Sequence, residues 1–88
     1  MKVTFERSFS KGIDKLKNQQ VKNRIIKLIE KCEEAKVITD IPNVKKMTSF
    51  TSFYRFKIGD YRIGVELEND TINFVIVSHR KDIYKVFP

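Results

Sequence analysis

Residues 53–84, FYRFKIGDYRIGVELENDTINFVIVSHRKDIY, decide the fold. Alternating apolar side chains are interrupted at Gly59-Asp60 and Asn69-Asp70. These dipeptides accept the positive φ of two-residue hairpin loops, so the stretch reads as three short antiparallel strands. With Gly59 and Asp60 as the loop, Ile58 faces Tyr61, Phe56 faces Ile63, and Lys57 lies opposite Arg62. Tyr54, Phe56, Ile58, Tyr61, Ile63, Val65 and Leu67 then share an apolar face, while Arg55, Lys57, Arg62, Gly64 and Glu66 share the other. The same treatment of the second turn pairs Ile63 with Ile76 and Arg62 with Val77, which puts His79 on the cationic face near Asp60.

Like charges directly opposite one another across a ladder destabilise it by a few tenths of a kcal/mol up to about 1 kcal/mol. Only Glu66 offers local neutralisation on that face, and folding alone gives little reason to set Lys57 against Arg62 with Arg55 two residues away. An anionic ligand would give one. The competing reading is a solvated face in a basic protein, its long stems snorkelling to water.

The whole chain is biased the same way. Eighteen Lys and Arg against 11 Asp and Glu leave a net charge of +7 on 88 residues, which suits a single domain over residues 1–88 and favours polyanionic partners. The basic residues run along the whole chain, and no stretch joins a basic face to exposed bulky anchors as a membrane-surface helix does. The lone Cys32 cannot form an internal disulfide, and no apolar run is long enough to span a bilayer. The opening MKVTFERSF carries charges where a secretory signal needs an apolar segment. A cytoplasmic protein without a membrane partner is expected.

Upstream of the hairpins, Lys2 to Glu6 is β-prone, with Val3 and Phe5 on one side. Ser8 is a candidate N-cap for a helix through Leu16 or Lys17 that presents Phe9, Ile13 and Leu16. Gly12 weakens this helix by up to about 1 kcal/mol but permits close packing. After a polar connection at Asn18 to Gln20, residues Val21, Ile25, Leu28, Ile29, Cys32 and Ala35 lay an apolar stripe down a second helix. Its outer residues, among them Lys27, Glu30, Lys31 and Glu34, read as a solvated face. Val37 to Ser52 reads as irregular because Ile41-Pro42 ends the helical region; Val44 and Met47 can dock on the core, and Lys45 and Lys46 are candidate phosphate contacts in the loop. In the tail, Ile83, Tyr84, Val86 and Phe87 are available to pack. The expected fold is α+β in the order β-α-α-β-β-β, a helical hairpin on a small antiparallel sheet.

A single His and a single Cys, far apart, argue against a metal site, and three glycines in all leave no Gly-rich phosphate loop. No cofactor is expected. What remains is Arg55, Lys57, Arg62, His79, Arg80 and Tyr84. An imidazole, a phenol and permanent cations near one sheet end match RNA self-cleavage. That reaction needs a group to take the proton of a ribose 2′-OH, cations for charge developing on phosphate oxygens, and an acid for the departing 5′-oxygen.

The segment YRFKIGDYRIGVELENDTINFVIVSHRKDIY resembles the C-terminal half of the RelE/ParE toxin superfamily: a basic strand, a Gly-Asp-Tyr-Arg hairpin, an acidic turn, an apolar strand and a His-Arg-x-x-x-Tyr ending. The element order agrees over most of the chain, while only the last forty or so residues carry specific motifs. The resemblance implies the toxin of a type II toxin-antitoxin system. Within the superfamily, RelE-type members are ribosome-dependent mRNA endonucleases and ParE-type members are gyrase poisons, and a shared fold does not separate the two. For a RelE-type nuclease, it implies phosphate-contacting or transition-state roles for Arg55, Lys57, Arg62 and Arg80. Tyr84 takes a stacking or acid/base role, and His79 is a candidate acid or base. The implied partners are a cognate antitoxin, mRNA in the ribosomal A site and the 70S ribosome; the implied reaction is metal-independent. The alternatives are a ParE-like DNA gyrase inhibitor and a catalytically inactive antitoxin-binding module.

Overall fold

The computed structural model describes residues 1–47 and 52–88. In chain order, strand β1 spans Lys2–Phe5, helix α1 Arg7–Lys15 and helix α2 Gln19–Glu34. A single 3-10 turn at Ile38–Asp40 leads to strand β2 at Val44–Lys46. Strands β3 at Phe53–Ile58, β4 at Tyr61–Glu68 and β5 at Thr71–His79 follow, and the short helix α3 spans Ile83–Val86. All five strands form one sheet in the order β1-β5-β4-β3-β2.

The α+β class and the order of the main elements agree with the expectation, and the sheet is larger and mixed. β1 pairs with β5 in parallel, and β2 pairs with β3 in the stretch that reads as irregular in sequence. Of that irregular stretch, 48–51 lie outside the described residues. A three-residue strand is missed because VKK has no alternation to read; it forms because β3 offers an open edge.

α1 and α2 cover one side of the sheet, here called the front. α2 begins on Asn18, whose side-chain Oδ1 accepts from the N–H groups of Gln20 and Val21, so the expected connection is the helix cap. Val21, Ile25, Leu28 and Cys32 are buried along its stripe, against Phe56, Ile58, Ile63, Val65, Ile72 and Phe74 of the sheet. Ser8, the expected cap of α1, lies inside that helix, and Glu6 takes the cap position without a side-chain bond. Phe5, Phe9 and Phe74 form an aromatic group joining β1, α1 and β5, with ring centroids 5.3–5.8 Å apart. Gly12 is a close-approach glycine, since a Cβ there would lie 2.5 Å from Cγ1 of Val77. Cys32 is wholly buried, and burial pushes its thiol up to about 12.

The first hairpin has the expected register: Phe56 faces Ile63, Lys57 faces Arg62, and Gly59 takes φ 56° in the turn. The second does not. Gly64 pairs with Ile76 but Val65 pairs with Phe74, so Val75 is the extra residue of a β-bulge. Beyond it Ile63 faces Val77, Arg62 faces Ser78 and Tyr61 faces His79, each shifted by one from expectation. The bulge has a structural use. The Ser8 hydroxyl donates to the Val75 carbonyl. Val75 and Ile76 both join a small second apolar cluster with Met47, Ile83 and Phe87 on the opposite side of the sheet, the back.

Candidate functional site

The back of the sheet is built outward from Gly64. A Cβ at this position would fall 2.7 Å from the ring of Phe87, so only glycine lets that ring lie flat on the strand. Phe87 is 2% exposed and meets Phe53 edge-on at 5.3 Å, while Ile83 is buried beside it. These contacts hold α3 across the back face. Tyr84, one residue after Ile83, is left 64% exposed.

Cations gather at one end of this face. Residues directly opposite in an antiparallel ladder share a face, so Lys45, opposite Arg55, and Lys57, opposite Arg62, make a set of four. The Arg55 guanidinium carbon sits 5.6 Å from the Tyr84 ring centroid, within cation–π range, which fixes the phenol against the cationic strand. Nη1 of Arg62 donates to the carbonyls of Gly59 and Tyr61, both at 2.9 Å, folding that guanidinium over the β3–β4 turn. Arg80 is tied to the same turn: its backbone N–H donates to the Asp60 carbonyl at 2.8 Å, and its Nε lies 3.8 Å from Asp60 Oδ1. Among the described residues, Lys45, Arg55, Lys57 and Arg62 form no ion pair. Glu66 shares the face but pairs with Phe53 and Asn73 on the far side of the Gly64–Phe87 contact.

Two expectations require correction. His79 is not on the cationic face. The bulge at Val75 reverses the side on which the following residues project, so His79 faces Tyr61, with ring centroids 5.7 Å apart, and lines a cavity with Gly12, Lys15 and Leu16 of the helical side. Its Nδ1 accepts the N–H of Lys81 at 3.2 Å, which ties the imidazole to the turn that follows β5. Lys45 and Lys46 are not a loop pair; they alternate along β2, and Lys46, opposite Tyr54, projects to the front.

The structure thus brings together Lys45, Arg55, Lys57, Arg62 and Tyr84, sets Arg80 beside them at the turn, and separates His79 and Lys46. Gly64 and Phe87 were missed as positioning residues. Their signal was present, since an isolated glycine inside a strand pattern marks a close approach by other backbone or side chains. Among the described residues no three His, Cys, Asp or Glu side chains gather to hold a metal ion, and no helix is long and apolar enough to cross a membrane.

A helical hairpin over a five-stranded sheet whose other face presents clustered cations and a tethered, exposed tyrosine defines a small basic α+β protein. Comparison with known proteins gives that class its family. Residues 3–84 match the family described as the ParE toxin of the type II toxin-antitoxin system parDE. The chain is 38% identical to Toxin RelE3 of Methanocaldococcus jannaschii over 89 aligned residues, covering all of both proteins. It superposes on a chain of the RelB-RelE antitoxin-toxin complex from Methanococcus jannaschii with a TM-score of 0.83 at 34% identity, covering 97% of this chain and 99% of that one. A chain of the intact E. coli RelBE toxin-antitoxin complex shares the fold, with a TM-score of 0.71 at 18% identity over 89% of this chain and 94% of that one. The chain belongs to the RelE/ParE superfamily, as a RelE-like toxin of a type II toxin-antitoxin system.

Proposed function

We propose that the protein is a ribosome-dependent mRNA endoribonuclease that inhibits translation in the cytoplasm by cutting mRNA in the A site of the 70S ribosome. The observation that carries this reading is the opposition of Lys57 and Arg62 beside an Arg55–Tyr84 stack, none of these three cations forming an ion pair among the described residues. In the reaction, the 2′-oxygen of a nucleotide attacks its own 3′-phosphorus as the bond to the 5′-oxygen of the next nucleotide breaks. The 2′-OH proton leaves to a base, the departing oxygen takes a proton, and the products are a 2′,3′-cyclic phosphate and a 5′-OH. Lys57, Arg62 and Arg80 stabilise the charge that grows on the phosphate oxygens. Arg55 and Lys45 hold neighbouring phosphates. Tyr84 stacks on a base or passes a proton, being the exposed phenol on the reacting face. His79 acts as a positioning residue, through its bond to the Lys81 N–H, because the sheet lies between its ring and the cations. No step requires a metal.

The partner is an acidic antitoxin segment whose carboxylates relieve the repulsion on the back face. The antitoxin-toxin complexes formed by the structural relatives support this. The match to a ParE toxin description favours one second reading, inhibition of DNA gyrase. Mapping RNA ends on translating ribosomes tests the proposal. New 5′-OH ends that disappear with Arg62→Ala and Tyr84→Phe are expected, whereas intact mRNA together with gyrase trapped on DNA would overturn it in favour of the second reading.

A further inference from the structure

A second set of cations lies around the edge of the sheet. Arg24, Lys27 and Lys31 occupy one ridge of α2, at i, i+3 and i+7, so at 1.5 Å per residue they span about 10 Å along the helix. They wall a groove of about 230 Å³ whose opposite wall is Lys57 and whose floor includes Leu28 and Phe56. All three α2 cations are exposed, and none forms an ion pair among the described residues, although Glu30 and Glu34 lie one turn from Lys27 and Lys31. Like charges at i, i+4, as in Lys27 and Lys31, destabilise a helix by a few tenths of a kcal/mol. Arg24 reaches as far as the β3–β4 turn, its Nη1 lying 3.3 Å from where a Cβ of Gly59 would stand.

We infer that this groove is a second phosphate-contact surface for RNA, separate from the reacting face and joined to it through Lys57. The strand on the back face continues over the β3 edge and lays successive phosphates along α2. The inference rests on the proposed RNA substrate. A lining without carboxylates and the sharing of Lys57 with the back face suit a continuous polyanion, and one observation favours RNA over an acidic protein segment: the groove is too small to bury the apolar side of a partner helix. The contacts read charge and not sequence, because they reach phosphates alone.

The test titrates the full chain with a short, uncleavable 2′-O-methyl oligoribonucleotide over a range of salt. The variants are the triple R24A/K27A/K31A and a charge-matched control, K11A/K17A/K36A, at exposed positions outside the groove. Circular dichroism confirms that both fold. Each lost phosphate contact lowers the slope of log affinity against log salt by about 0.7, so the triple variant is expected to lose about 2 from its slope and the control none. The weakening should be the same for oligonucleotides of different sequence. Equal slopes for triple variant and control overturn the inference. So does unchanged RNA binding by a triple variant that instead loses an acidic amphipathic peptide. Because binding is read without cleavage, parent protein that shows the α2-dependent slope but makes no new RNA ends would sink the nuclease reading and leave this inference standing.

Discussion

The two sides of the sheet follow different rules. On the front, α1 and α2 bury a continuous apolar layer of sheet side chains. On the back, three buried residues, Met47, Ile83 and Phe87, make a small patch with Phe53, Val75 and Ile76 that anchors α3, and charged side chains lie on both sides of it. Cations collect toward the β3–β4 turn, while Glu66 and Glu68 of β4 line a polar cavity at the other end with Asn73 and Thr71. The contrast separates residues that packing accounts for from cations that it does not. Stability accounts for the front, but it does not explain why like charges were set opposite one another on the back.

Truncating each side separates these roles. Phe74→Ala removes a wholly buried ring from the front and should cost about 3–5 kcal/mol, read by urea or thermal unfolding. If it costs no more than a back-face truncation, the division is wrong. Arg62→Ala should leave the melting temperature nearly unchanged yet slow cleavage of ribosome-bound mRNA by about 100- to 1000-fold, the cost of losing one charge-stabilising donor. A parallel fall in stability and cleavage would make Arg62 a structural residue instead.

Smaller effects sharpen the comparison. Gly64→Ala pushes a Cβ into the Phe87 ring and should cost about 1–3 kcal/mol as α3 is displaced. Tyr84 should then lose its seat on Arg55, so cleavage should drop further than the stability change alone accounts for. Lys57→Ala relieves the repulsion with Arg62 and should stabilise the protein slightly, by up to about 1 kcal/mol, while weakening RNA binding. A loss of stability would show that the pair is tolerated for structural reasons. Smallest at neutral pH is Cys32. Its folded-state thiol, pushed up to about 12 from an ordinary 9.0, holds its proton more tightly than the unfolded chain does. Stability from this group is therefore complete below pH 9.0 and declines as pH rises toward 12, and the native thiol should resist alkylation until the protein unfolds.

Much of the architecture was legible because local chemistry agreed with the global fold. Gly59-Asp60 set the first hairpin and with it the opposition of Lys57 and Arg62. The stripe from Val21 to Cys32 identified α2. The second hairpin failed for a definite reason. From Ile72 to Val77 nearly every residue is apolar, so the run shows no alternation against which an extra residue would stand out. One unseen bulge at Val75 was enough to carry His79 to the wrong side.

From the residues alone came the α+β class, the superfamily resemblance, the cationic strand pair and the membership of most of the candidate site. Those features rest on turn residues, periodicity and charge, which act between near neighbours in the chain. Only the tertiary structure decided that Phe87 lies on Gly64, that Arg55 holds Tyr84 in the open, that His79 stands apart, and that α2 continues the line of cations begun at Lys57. Each of these joins positions distant in sequence through packing and register, where a single bulged residue reverses the side on which the side chains that follow it project.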